Sequence, residues 1–166
     1  IKNNLVNIQE LDPTIIVALK YSTTDNFMNT DVYGDLEICY LRKTPAQMLV
    51  DAHTSLKESY PNLRLLVYDG LRPRSIQWKL WKTLVDVPET ERTQFVADPR
   101  SGSIHNFGAA VDLTLIDSLG NPLDMGTKYD YFGELAFPTL EDSLLKIGQL
   151  TNQPRHLFNT GNLLWN

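Results

Sequence analysis

The sequence predicts an α+β fold, with a small and mainly antiparallel sheet flanked by helices. Three observations carry that expectation. The stretch TPAQMLVDAHTSLKESYP has helical spacing with helix-end signals on both sides, whereas LRLLVYDG and AAVDLTLI are short and strand-like. Strands and helices also follow one another without the strand–helix–strand rhythm that builds a parallel sheet.

Taken in order, NNLVNIQELDPTIIVALKYSTTDNF offers one or two β-rich pieces divided by the turn former Asp12-Pro13 and running into a polar loop. In the first clear helix, Thr44 is placed to cap free N–H groups, Pro45 suits the first turn and Pro61 follows the end. Leu49, Ala52 or His53, and Leu56 form its apolar face. LRLLVYDG reads as a buried strand that delivers Asp69 to its end. RSIQWKLWKTL returns to helical spacing, with Ile76, Leu80 and Leu84 in line and Trp78 and Trp81 beside them. A further helix is expected over Glu89–Ala97. In AAVDLTLI, Val111, Leu113 and Leu115 alternate with Ala110, Asp112 and Thr114, so Asp112 points away from the aliphatic side. Residues 139–151 and 155–166 read as helices joined near Pro154.

A length of 166 residues without repeats suits one domain, 1–166, with a sizeable core. The formal charge of −5 lacks the basic excess that phosphate contacts require, so nucleic acid is not an expected partner. No apolar run reaches the roughly 18 residues of a membrane span, and the chain reads as soluble. Cys39 is the only cysteine, which excludes an internal disulfide and a multi-cysteine zinc site. The chain starts at Ile1 rather than Met with no signal segment, so an upstream piece removed by the cell or in cloning is expected, which is a weak pointer to export.

Two groups of residues carry chemistry. In SGSIHNFGAAVDLTLID, His105 stands in a Ser/Gly-rich loop and Asp112 on the polar face of the following strand. They converge on one metal only if the loop folds back, which Gly102 and Gly108 permit. Spacing alone leaves open a loop hydrogen bond for His105 and a salt bridge for Asp112. In YDGLRPRS, Arg72 lies in a tight turn at a strand end, where a guanidinium stabilises an oxyanion or clamps a carboxylate. A surface salt bridge is the alternative there, and Arg74 reads as an ordinary surface charge.

KYSTTDNF, LLVYDGLRPRS, SGSIHNFGAAVDLTLID and MGTKYDYF together resemble, in order and approximate spacing, the D-alanyl-D-alanine dipeptidases of the zinc-dependent D,D-peptidase group. The likeness spans about Tyr21 to Asp130 and is weaker on both sides. It implies zinc as cofactor, His105 and Asp112 as two of its ligands, and Arg72 as the catalytic arginine that steadies the tetrahedral oxyanion. It also implies that Ser103, Asp130 and Tyr21 hold the amino end of a small D-amino-acid peptide. The activity implied is hydrolysis of D-Ala-D-Ala or a related cell-wall dipeptide, in the periplasm or cell envelope, with the cytoplasm also open to the family. D,D-carboxypeptidase action on longer wall peptides is the neighbouring alternative, and Asp130 favours the dipeptidase because only a dipeptide offers its ammonium so near the scissile bond.

One departure stands out. The family carries a Glu-x-x-His toward the C-terminus, where Glu is the general base and His the third ligand. No Glu-x-x-His occurs in residues 1–166. His53 reads as a packed helix residue, and His156, preceded at three residues by Gln153, lacks a base partner and is not expected to bind zinc. Residue 166 closes an apolar stretch containing Leu163, Leu164 and Trp165 with no polar tail, so the chain is expected to stop short of its last ligand, the remainder being cleaved off, carried as a separate segment of the same protein or left out of this sequence. A wall-peptide or metal-binding module without the base is the alternative from another class. The retained Arg72 argues against it.

Overall fold

The computed structural model describes residues 4–133. The helices expected over 139–151 and 155–166, together with His156, lie outside these residues. Among the described residues, five short strands and three α-helices are arranged as β1 (Leu5–Asn7), α1 (Ile8–Leu11), β2 (Ile16–Val17), β3 (Tyr40–Arg42), α2 (Lys43–Ser59), β4 (Arg64–Asp69), α3 (Arg74–Thr83) and β5 (Asp112–Ile116). The fold is therefore α+β with small sheets, as the sequence predicts. Among the described residues no helix is long and apolar enough to cross a membrane.

β1 and β3 form an antiparallel pair, and a second sheet has the order β2-β4-β5. β4 runs antiparallel to β5 and parallel to β2, so one parallel pair enters a mainly antiparallel arrangement. Its connection contains α2, long enough to return the chain to the same edge direction. Ile8, Ile15, Leu41, Ala46, Leu49, Leu56, Leu65, Val67 and Leu115 form one buried cluster beneath α2. Tyr21, Ile76, Leu80, Trp81, Leu84 and Val96 form a second around α3.

Local differences from the expected elements have physical reasons. α2 begins at Lys43 after Arg42, whose side chain makes no cap, so Thr44 and Pro45 lie inside the first turn rather than at and after the cap. His53, not Ala52, completes its buried face. α1 is only four residues long, too short to show helical periodicity in sequence, and is capped by Asn7 accepting from the Gln9 N–H. The helix expected over 89–97 reduces to a 3-10 turn at Arg92–Gln94. Arg74 is more than a solvated charge, because its guanidinium donates to the carbonyls of Pro99 and Arg100 and ties α3 to the loop before His105.

Candidate active site

The site grows from a break in the β4–β5 ladder. Arg64 to Val67 pair regularly with Ile116 to Leu113, then the register shifts and Asp69 stands opposite Asp112. Such a bulge re-aims side chains. Here it brings two carboxylates face to face, an arrangement that repels unless a cation bridges it. Arg72 is that cation: Nη2 lies 2.6 Å from Asp69 Oδ2 and 3.2 Å from Asp112 Oδ2. Nε donates to Asp69 Oδ2 at 2.8 Å and Nη1 to Gln77 Oε1 at 3.1 Å. Gln77 in turn donates to the Ala97 carbonyl at 2.8 Å. Burial opposes the charge most strongly, but Asp69 together with Tyr21, Asp112 and Tyr129 outweighs it and raises the Arg72 pKa, so the guanidinium stays charged.

The loop carrying His105 does fold back. A 3-10 turn covers Ile104–Phe107 and ends at Gly108, whose φ of 64° is a left-handed cap that favours glycine. Ser103 Oγ accepts from the His105 N–H and Asn106 Oδ1 accepts from the Ser103 N–H, closing a reciprocal cap at the front. Three hydrogen bonds join this turn to the β4–α3 connection: Arg72 N–H to the His105 carbonyl at 3.0 Å, Asn106 Nδ2 to the Arg72 carbonyl at 2.9 Å, and His105 Nδ1 to the Gly70 carbonyl at 2.9 Å. A Cβ on Gly70 would collide with Cys39 Sγ, so the close approach requires glycine.

A carbonyl only accepts, so Nδ1 of His105 carries the proton and Nε2 faces Asp112 Oδ1, 3.4 Å away. Burial alone would lower the His105 pKa; the hydrogen bond and charge of Asp112 outweigh it and the net shift is upward. For Asp112 burial would raise the pKa, and His105, Arg72 and Tyr129 overcome it and lower it. An imidazole nitrogen and a carboxylate oxygen turned toward one another are a donor set that suits zinc, with the cation taking the place of the shared proton. Asp69, His105 and Asp112 each offer a ligand atom within 4.8 Å of the others. Asp69 is nevertheless committed elsewhere, since Oδ1 accepts from the Tyr33 hydroxyl at 2.7 Å and Oδ2 holds Arg72. It stands 3.7 Å behind His105 Nδ1, on the side away from Nε2. That is an orienting position rather than a ligating one.

All six residues singled out in the sequence, Tyr21, Arg72, Ser103, His105, Asp112 and Asp130, line one cavity of about 380 Å³. Asp130 has φ 58°, a strained conformation for a residue with a side chain, of the kind that collects at functional sites. Its Oδ1 accepts from the Tyr21 hydroxyl at 3.3 Å, and Oδ2 from the Phe27 N–H at 3.4 Å. Burial pushes its pKa up to about 6 against those two hydrogen bonds. The Tyr21 ring lies 5.1 Å from the Arg72 guanidinium carbon and so connects the two ends of the cavity. Opposite them Phe132 packs against Phe27 and Phe95, with ring centres 5.0 and 5.1 Å away, and makes an apolar wall.

Four contributors were not singled out in the sequence as parts of the site. Asp69 had a visible cue, being three residues before Arg72 at a strand end. Gln77 and Tyr33 had none, for their partners are set by tertiary packing. Tyr129 donates its hydroxyl to Asp112 Oδ2 at 3.1 Å, and its only cue is adjacency to Asp130.

Residues 1–160 match a family whose description is D-ala-D-ala dipeptidase. A D-alanyl-D-alanine dipeptidase of Escherichia coli strain K12 is 36% identical over 135 residues, covering 78% of this chain and 63% of that protein. A D-alanyl-D-alanine dipeptidase of Synechocystis sp. strain PCC 6803 is 28% identical over 121 residues, 59% of this chain and 49% of its own length. The chain thus spans less than two thirds of either relative.

Proposed function

The chain belongs to the D-ala-D-ala dipeptidase family, and from that premise we propose that it serves zinc-dependent hydrolysis of D-Ala-D-Ala or a closely related short wall dipeptide. The observation that carries the proposal is the shared cavity, in which the open atoms His105 Nε2 and Asp112 Oδ1 lie beside a buried, permanently charged Arg72. His105 and Asp112 would hold the zinc, which when bound polarises the scissile carbonyl and lowers the pKa of water. Arg72 has three of its nitrogens anchored on Asp69, Gln77 and Asp112, so its fork is oriented before substrate arrives. A donor fixed in this way stabilises the oxyanion without reorganising during the reaction. At the other end Asp130, with Tyr21 and Ser103 beside it, receives the substrate ammonium, and the Phe27–Phe132–Phe95 wall excludes water from the methyl side. Residues 1–166 hold no Glu-x-x-His, and the proposal therefore puts the general base and third ligand on a segment of the same protein outside them.

The test uses full-length, zinc-loaded protein with D-Ala-D-Ala, L-Ala-L-Ala and N-acetyl-D-Ala-D-Ala. Release of free D-alanine from the first alone is expected. Equal turnover of the acetylated peptide would instead support a D,D-carboxypeptidase, and zinc binding without any turnover would leave a wall-peptide binding module.

A further inference from the structure

Asp112 divides its two oxygens. Oδ1 faces His105 Nε2, whereas Oδ2 accepts from Arg72 Nη2 at 3.2 Å and from the Tyr129 hydroxyl at 3.1 Å. The arginine is shared among Asp69, Gln77 and Asp112, and its shortest contact, 2.6 Å, is to Asp69. The phenol points at Asp112 from a ring held on both faces of its turn. Tyr129 meets Tyr21 edge-on at 6.2 Å and 63°, and Tyr68 at 5.2 Å and 60°. Together with Phe27 it lines both the candidate-site cavity and a neighbouring one of about 670 Å³. The next residue, Asp130, takes the left-handed conformation already noted, and this turn sends adjacent side chains to the metal-ligand end and the ammonium end of one cavity.

We propose that Tyr129 is a positioning residue of the metal centre, whose hydroxyl holds Oδ2 of Asp112 so that Oδ1 is the oxygen presented toward His105 Nε2. The proposal rests on the zinc site proposed above. A carboxylate turns about its Cβ–Cγ bond unless its far oxygen is held, and partners of this kind orient a ligand and tune its basicity. Tyr129 supplies this hold from the position next to Asp130, so the cavity's two ends share one support.

Tyr129→Phe removes only the hydroxyl. In full-length protein, zinc dissociation constants from chelator competition and the visible absorption of the cobalt-substituted form are compared for wild type, Y129F, H105A and the ring-contact control Y68F. Y129F is expected to bind zinc about tenfold or more weakly, the usual cost of losing such a partner, with an altered cobalt spectrum. The metal-free melting temperature should stay at the wild-type value, and Y68F should match wild type in metal affinity. A Y129F affinity within about twofold of wild type would overturn the proposal, because outer-shell partners cost more than that when removed. An equal loss in Y68F, or a matching drop in metal-free stability, would overturn it as well by making the role one of packing. If wild type binds no zinc, or H105A binds it as tightly, the metal-site reading itself fails and the role of Tyr129 falls with it.

Discussion

Two clusters in this protein use nearly the same side chains and differ in what they leave open. Beneath α2, His53 Nδ1 meets Asp12 Oδ2 at 2.8 Å and Lys57 Nζ meets the same oxygen at 3.2 Å. At the β4–β5 bulge, His105, Asp112 and Arg72 form the corresponding trio of imidazole, carboxylate and cation. His53 has no exposed surface, and its Nε2 is buried without a hydrogen-bond partner. Burial lowers the His53 pKa in spite of Asp12, whereas Asp112 raises that of His105 in spite of burial. None of the α2 trio lines either cavity described above, while His105 and Asp112 both do. The lesson is that residue types alone do not distinguish the two clusters; what differs is that His105 and Asp112 face a cavity and the α2 trio does not.

The largest effect expected from this contrast follows His105→Ala. Turnover of D-Ala-D-Ala should fall by about 10³-fold or more as metal and its several kcal/mol of charge stabilisation are lost. Metal-free stability, read by urea unfolding, should fall by only about 1 kcal/mol, for the lost hydrogen bond to the Gly70 carbonyl. Retained activity would erase the distinction between the clusters. Asp12→Ala should do the reverse. It leaves the buried His53 nitrogen and Lys57 without their carboxylate and should cost about 3 kcal/mol of unfolding free energy, with turnover per folded molecule unchanged. Loss of turnover without loss of stability would place the α2 cluster in catalysis. The smallest effect concerns Asp130, whose carboxyl titrates near 6. Above that pH it is ionised, and in its proposed role toward the substrate ammonium KM should fall by a few-fold, about 1 kcal/mol, as pH rises from 5 to 7. Asp130→Asn should flatten that portion of the KM profile. An unchanged slope would remove Asp130 from substrate recognition.

Much of the site was legible because motif residues sit in short, recognisable segments. Spacing alone left Arg72, His105 and Asp112 open to ordinary salt-bridge and loop roles; the resemblance of four segments to one family is what singled them out, and Tyr21, Ser103 and Asp130 with them. The supports were not legible, since Tyr33 reaches Asp69 across 36 residues and Asp12 reaches His53 across 41. No spacing rule encodes such pairings. In the fold, α2, β4, α3 and β5 were visible because each is long enough, or apolar enough, to show its period. The four-residue α1 completes barely one turn, and the 3-10 turn at Arg92–Gln94 left an expected helix unfilled because its residues are mostly exposed and bury no continuous stripe.

The three hydrogen bonds between the Gly70–Arg72 turn and the His105–Asn106 turn also bear on when the site comes into being. Their partners are separated by 33 to 35 residues. Bringing such distant pieces together costs chain entropy before any contact repays it, so pairings of this kind are acquired late and together. The side chains proposed as oxyanion donor and metal ligand are therefore brought together by one set of long-range contacts, which neither segment makes alone.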